Sequence, residues 1–131
     1  MSVGILIITH SNIGRSLYEA VTSVIGPAPL PTKLLPVSLD GDPEQLVEKA
    51  RQLVKELDQG QGVLVLTDMY GSTPSNIACK LANGQVNVVA GINLPMLVRV
   101  MNYPKLDLAQ LANKAVSGGH EGVVPCQHRH P

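Results

Sequence analysis

Short apolar runs alternate along this chain with stretches whose apolar residues recur at helical spacing, and this alternation restricts the fold more than any other feature. The first run, residues 3–9, is continuous, rich in branched residues and free of charge. Such a run is typical of a strand buried on both faces of a parallel sheet. The predicted strands cover about residues 3–9, 33–39, 62–68 and 86–90. The predicted helices cover about residues 12–25, 43–57, 73–81, 95–101 and 106–116, and a last extended piece covers residues 121–124.

This order of elements predicts an α/β fold, an open sheet of four parallel strands with helices on both faces. Right-handed crossovers limit the possible topologies, and a common solution begins with the strand order 2-1-3-4. In that order strands 1 and 3 are neighbours, and a crevice opens at their carboxyl ends. The length of 131 residues predicts a single domain over 1–131, with a polar tail over about 126–131.

Two ionisable side chains directly end the two strongest apolar runs. His10 follows the first predicted strand, and Asp68 ends the third. An imidazole can act as a base or nucleophile near neutral pH. A carboxylate that accepts a hydrogen bond from one ring nitrogen fixes the tautomer and stabilises the cation that forms. The sequence therefore predicts a His10–Asp68 pair in the crevice. The alternatives are a solvated loop histidine and a carboxylate that serves a turn or helix cap.

The loop after Asp68 leads into a predicted helix N-terminus, where free backbone N–H groups and the helix dipole favour an anion. Gly71, Ser72 and Thr73 are candidate donors to an oxyanion there. A nucleophilic histidine beside an anion site predicts phosphoryl transfer through phosphohistidine. Neither a Walker A sequence nor a GxGxxG motif is present, so no bound cofactor is expected.

Charge and cysteine content exclude several other classes of protein. Ten acidic and ten basic residues give no net charge, which argues against a nucleic-acid surface. The apolar runs are too short to cross a bilayer, and no signal peptide is expected at the start. Cys79 and Cys126 form no disulfide framework, so a cytoplasmic protein with reduced thiols is expected. The tail over 126–131 is interpreted as a frayed terminus, with no metal site.

Three segments together resemble a known family. They are Ile8-Thr9-His10-Ser11, residues 62–68 with Gly71-Ser72-Thr73-Pro74-Ser75-Asn76, and residues 89–97, which contain Asn93-Leu94-Pro95-Met96-Leu97. In these segments the chain resembles the IIA component of the mannose family of the bacterial phosphoenolpyruvate-dependent sugar phosphotransferase system. The family often has a second glycine and a serine where this chain has Ser72 and Thr73.

The resemblance implies that His10 is phosphorylated by phospho-HPr, and that Asp68 binds the ring nitrogen that is not phosphorylated. The acceptor would be a IIB-type protein or a regulatory target, and a membrane would be reached only through a transporter complex. The loop containing Asn93, Leu94, Pro95 and Met96 would border the crevice and face a partner, although packing inside the monomer is equally open. Members are homodimers that exchange a C-terminal strand, which residues 121–124 resemble.

Two further hypotheses remain open from the sequence. The first is a regulatory binding module, in which phosphorylation of His10 changes partner affinity without onward transfer. The second is the phosphoryl-carrying subunit of a dihydroxyacetone kinase, which shares the histidine and the fold. The segments over 71–76 and 93–97 resemble the mannose family better.

Overall fold

The computed structural model describes residues 1–127 and contains four strands and five helices in that part of the chain. The strands are β1 (Gly4–His10), β2 (Thr32–Val37), β3 (Val63–Thr67) and β4 (Val86–Ala90). The helices are α1 (Ile13–Ile25), α2 (Pro43–Leu57), α3 (Thr73–Cys79), α4 (Leu94–Met101) and α5 (Leu108–Glu121). Within the described residues, none of the helices is long and apolar enough to span a membrane.

The four strands are all parallel and lie in the order β2-β1-β3-β4, which confirms the predicted sheet. The two central strands, β1 and β3, are buried along almost their whole length. In the register of the sheet, His10 lies opposite Val37 of β2, and Ile8 lies opposite Thr67 of β3. The carboxyl ends of β1, β2 and β3 therefore meet at one edge of the sheet.

An aliphatic core packs on each face of the sheet, because successive strand residues point to opposite faces. Ile5 and Ile7 join one core, with side chains from α1, α4 and α5. Leu6 and Ile8 join the other core, with side chains from α2 and α3. Four consecutive buried residues thus hold β1 from both sides, and the strand gives His10 a rigid base.

Helix α5 continues to Glu121, five residues beyond the predicted end at residue 116. Two glycines near its end lower helix propensity, so the sequence pattern favours an earlier stop. Close packing against α4 compensates for this. A Cβ atom on Gly118 would lie 2.5 Å from the Cβ of Arg99, and one on Gly119 would lie 2.9 Å from the Cε of Met96. The missing side chains allow the two helices to approach closely.

In the single chain, residues 121–124 do not form the predicted extended piece, and their exchange in a dimer stays a prediction. Glu121 is the last residue of α5, and residues 123–127 form neither helix nor strand. Val123 and Val124 are exposed there, without the neighbouring strand that an edge strand needs. The tail prediction can be followed only at Cys126 and Gln127, which are exposed, because residues 128–131 lie outside the described part.

Candidate functional site

The sheet order brings His10 and Asp68 into direct contact, although 58 residues separate them in the sequence. His10 is the last residue of β1, and Asp68 directly follows the neighbouring strand β3. The Nδ1 atom of His10 lies 2.7 Å from Oδ2 of Asp68. The backbone N–H of His10 donates to the same oxygen at 2.8 Å, and the Met69 N–H donates to Oδ1 at 2.9 Å. The carboxylate therefore binds both the ring and the backbone of His10.

These hydrogen bonds determine the ionisation of Asp68 and the tautomer of the His10 ring. Burial alone would raise the pKa of Asp68, but the hydrogen bonds from the His10 amide, the His10 ring and the Met69 amide outweigh it and lower that pKa. An ionised carboxylate only accepts hydrogen bonds, so Nδ1 carries the ring proton. Nε2 is then left with a free electron pair. The His10 side chain is 38% exposed and that of Asp68 only 13%, so the ring is the accessible member of the pair.

A groove of about 630 Å³ opens beside His10. Its walls are formed by His10, Ser11, Val37, Ser38, Leu39, Asp40, Gly41, Pro43 and Thr73. One whole wall is formed by the connection from β2 to α2, residues 38–42, with Pro43 at the start of α2, and the sequence patterns did not single out these residues as part of a site. The predicted strand order contained the signal, because a loop at the carboxyl end of β2 must lie beside the end of β1.

Hydroxyl groups supply the side-chain donors of this groove, because the ring proton of His10 is on Nδ1 and is bound by Asp68. Ser11, Ser38 and Thr73 border it, whereas no lysine or arginine does so among the described residues. Asp40 adds a negative charge to one wall. No group of three histidine, cysteine or acidic side chains within residues 1–127 is arranged to hold a metal ion. The groove therefore presents the His10 imidazole beside neutral hydroxyl groups.

The three candidate oxyanion donors have different positions. Thr73, the first residue of α3, borders the groove. Ser72 is occupied in its own turn, because its hydroxyl and its N–H both donate to the carbonyl of Met69, at 2.6 Å and 3.2 Å. The N–H of Gly71 donates to the hydroxyl of Ser75 at 3.4 Å, and Gly71 has the positive φ of 87° that this turn requires. Of the three, Thr73 has the position that suits an anion in the groove.

The loop that leads into α4 packs mainly inside the protein, and none of its residues lines the groove of His10. The Asn93 side chain caps α4 by accepting from the Met96 N–H at 2.9 Å, and it donates to the Gly119 carbonyl at 3.1 Å. Met96 is 2% exposed and belongs to the core, and Leu94 packs against that core. Pro95 is exposed. In the single chain, a partner would therefore meet Pro95 and only part of this segment.

Fold and geometry together define a class of protein: an open parallel α/β domain with a histidine–carboxylate pair at the point where the strand order reverses. The family model EIIA-man, described as the PTS system fructose IIA component, matches residues 4–116. The chain therefore belongs to this family, and it is a IIA component of the mannose/fructose type of the phosphotransferase system.

Relatives in sequence agree with the family match. The chain is 37% identical over 86 residues to the PTS system mannose-specific EIIAB component of Escherichia coli (strain K12), covering 61% of this chain. The matched part spans only 26% of that longer relative. It is also 38% identical over 86 residues to the PTS system fructose-specific EIIA component of Bacillus subtilis (strain 168), covering 63% of this chain and 59% of the relative.

A solved structure has the same fold. The mannose/sorbose specific IIA subunit of the phosphotransferase system from Enterococcus faecalis superposes with a TM-score of 0.88. The alignment covers 100% of this chain and 99% of that subunit, at 21% sequence identity. At that sequence identity, the likeness shows a shared fold.

Proposed function

We propose that this protein carries a phosphoryl group on Nε2 of His10, receives it from phospho-HPr and passes it to a IIB-type acceptor. The distance of 2.7 Å between Nδ1 of His10 and Oδ2 of Asp68 carries this proposal. It assigns the ring proton to Nδ1 and leaves the electron pair of Nε2 on the accessible ring. Family membership supports the same chemistry, because IIA components belong to a phosphotransferase system.

The transfer step balances without a further reactant. The Nε2 electron pair attacks the phosphorus of the donor's phosphohistidine, and a new N–P bond forms as the donor's N–P bond breaks. The electron pair of the broken bond leaves with the donor imidazole. The ring of His10 becomes positively charged while Nδ1 keeps its proton, and the Asp68 carboxylate stabilises that charge. Transfer to the acceptor repeats the step, with His10 as the leaving group.

The proposal is tested by incubation with radiolabelled phosphoenolpyruvate, enzyme I and HPr. We expect an acid-labile, base-stable label on the wild-type protein and none on His10→Gln. His120→Gln is the matched control, because His120 is exposed on α5 and no part of it lines the groove. Label that persists on His10→Gln, or an unlabelled wild type beside labelled HPr, would contradict the proposal.

A chase with an unlabelled IIB-type protein tests onward transfer. A carrier loses its label to the acceptor in the same time that the acceptor gains it. A regulatory module keeps the label on His10 and changes only its affinity for a partner. If the label stayed on His10 with every IIB-type protein tried, the carrier role would be contradicted. Phosphorylation of His10 itself would not be.

We also propose that residues 1–131 act as a single cytoplasmic domain that forms a homodimer by exchanging the segment after α5. The exposed apolar side chains of Val123 and Val124 support this, since a second chain would cover them. Light scattering should give the mass of two chains, and a double Val123→Ser, Val124→Ser variant should give the mass of one. A monomeric wild type would contradict the exchange.

A further inference from the structure

Ser11, the residue directly after His10, has an unusual backbone conformation. Its φ angle is 47°, and it is the one residue other than glycine with a positive φ in the described part of the chain. Its N–H donates to the Val37 carbonyl at 2.9 Å, so the end of β2 fixes this conformation. The left-handed region is unfavourable for a residue with a Cβ atom, and such conformations concentrate at functional sites.

Glycine would adopt the same backbone angles without strain. What serine adds at this position is a hydroxyl group beside the imidazole. Ser11 is exposed and borders the groove together with His10 and Thr73. Within residues 1–127, no hydrogen bond to another protein group engages the Ser11 hydroxyl. This hydroxyl is therefore free for a ligand.

A phosphoryl group on Nε2 would need donors in this groove. It brings up to two negative charges and three strong acceptor oxygens. Among the described residues, neither lysine nor arginine lines the groove, and Asp40 adds negative charge. Neutral hydroxyl and amide donors must then bind the phosphoryl oxygens, and hydrogen bonds to a charged acceptor are the stronger kind.

We propose that Ser11 is a phosphoryl-binding residue, whose hydroxyl donates a hydrogen bond to a non-bridging oxygen of the group on His10. This inference rests on the proposed phosphorylation of His10. Ser11 transfers no proton; it keeps its hydrogen while the N–P bonds form and break. The Ser11 hydroxyl affects the transfer rate most when the phosphoryl group lies between the donor and acceptor nitrogens, where the negative charge of the phosphoryl oxygens is exposed.

Two substitutions separate the hydroxyl from the backbone. Ser11→Gly removes both the hydroxyl and the strain, whereas Ser11→Ala removes the hydroxyl and keeps the strain. We expect each to lower the single-turnover rate of phosphorylation at saturating phospho-HPr by about tenfold, less than the roughly 100-fold or more that a lost donor costs in a closed oxyanion hole, since the groove is open to water. The KM for phospho-HPr should stay within about twofold, because the docking surface is unchanged.

Thermal unfolding of the same proteins provides the structural readout. We expect Ser11→Gly to unfold at or above the wild-type temperature, although its transfer rate is low. Ser23→Ala, an exposed serine of α1, is the control and should keep the wild-type rate.

Three results would overturn the role of Ser11, and one of them would also overturn the proposed function. Wild-type rates in both Ser11 variants, with His10 labelled normally, would overturn the inference and leave the proposed function intact. A wild-type rate in Ser11→Gly with a slow Ser11→Ala would also overturn it, because backbone strain would then explain the effect. A wild-type protein without label on His10 would overturn both proposals.

Discussion

At the scale of single residues, one carboxylate oxygen organises the site. Oδ2 of Asp68 accepts from the ring of His10 and from its backbone N–H. Because both donors belong to the same residue, the ring is held to its own main chain through Asp68. The Met69 N–H binds the other oxygen and fixes the plane of the carboxylate. Tautomer and ring orientation thus follow from one side chain.

We expect Asp68→Asn to slow phosphorylation of His10 by about 100-fold or more, because an amide can donate to Nδ1 and shift the ring proton to Nε2. The KM for phospho-HPr should change little. Rapid-quench labelling at saturating donor measures the rate. Asp40→Asn, on the wall of the groove, is the control and should not be slower than wild type. Equal rates for Asp68→Asn and wild type would contradict the orienting role.

The lowered pKa of Asp68 links the site to acid stability. The folded protein holds this proton less tightly than the unfolded chain, whose carboxyl has the ordinary value of 3.8. The stabilisation is therefore complete above that value and is lost as the pH falls through the lower folded-state pKa. Urea unfolding between about pH 6 and pH 2 should show a smaller acid-induced loss in Asp68→Asn than in wild type. If the free energies of unfolding of wild type and Asp68→Asn fell equally as the pH is lowered, this link would be contradicted.

At the scale of elements, the close approach of α1 to β1 positions the end of the strand. The Gly14 N–H donates to the buried Thr9 hydroxyl at 2.8 Å, so the start of α1 is tied to the residue before His10. A Cβ atom on Gly14 would lie 2.6 Å from Cγ2 of Ile7 and 3.1 Å from the Thr9 hydroxyl. Glycine is required here because the helix has no room for a side chain.

We expect Gly14→Ala to lower the free energy of unfolding by about 1–3 kcal/mol, the usual cost of overpacking. At an open helix position the same change raises the free energy of unfolding by about 1 kcal/mol. The sign of the change in that free energy therefore shows whether the position is closely packed. Gly84→Ala is the control: Gly84 lies in the turn before β4, where a Cβ atom would meet nothing within 4 Å, so no overpacking cost is expected. Urea unfolding of the three proteins measures both effects, and a stabilised Gly14→Ala would show that α1 can move away from the sheet.

The Asn93 side chain connects α4 to α5, and its contacts indicate a structural role. We expect Asn93→Ala to lower the free energy of unfolding by about 1–2 kcal/mol, since the cap of α4 is lost and the Gly119 carbonyl loses its donor. The phosphorylation rate should remain that of wild type. Asn113→Ala, at an exposed position of α5, should be neutral or slightly stabilising. A stable Asn93→Ala protein with poor transfer would favour the partner-facing interpretation.

At the scale of the whole molecule, several exposed apolar side chains belong to segments at the edge of the sheet where the groove opens. We call Ile13, Leu39, Met69 and Tyr70 the apolar rim. Leu39 is 98% exposed and Tyr70 is 81% exposed. Leu39, Met69 and Tyr70 lie on the connections that follow β2 and β3, and Ile13 is the first residue of α1, so all four are near the edge of the sheet that holds His10. Large exposed apolar residues around a reactive group are typical of a protein-docking surface.

We expect a double Leu39→Ser, Tyr70→Ser variant to raise the KM for phospho-HPr by about 30-fold, because truncating an anchor residue of an interface costs about 1 kcal/mol or more, and two such losses add to about 2 kcal/mol. The rate at saturating donor should remain near wild type, since neither side chain belongs to the His10–Asp68 pair. Val116→Ser, which removes an exposed apolar side chain from α5, is the control. An unchanged KM would mean that the donor docks elsewhere.

Much of the fold and the core of the site can be predicted from the sequence. Buried strands in parallel sheets are continuous apolar runs, and helices between them require right-handed crossovers. These two constraints leave few topologies, and the common order β2-β1-β3-β4 among them places the ends of β1 and β3 together. The residues that end those runs, His10 and Asp68, are therefore neighbours by topology alone.

The finer geometry was decided only by the tertiary structure, because the partners of loop groups lie far away in the sequence. The Val37 carbonyl fixes the left-handed Ser11, and the Gly119 carbonyl binds Asn93. Close contact with α4 sustains α5 through its glycines. Local propensity cannot supply these partners, since each exists only after the sheet and helices have packed. The sequence by itself thus determined which residues meet at the sheet edge, and the packed structure determined which hydrogen-bonding groups remain free there.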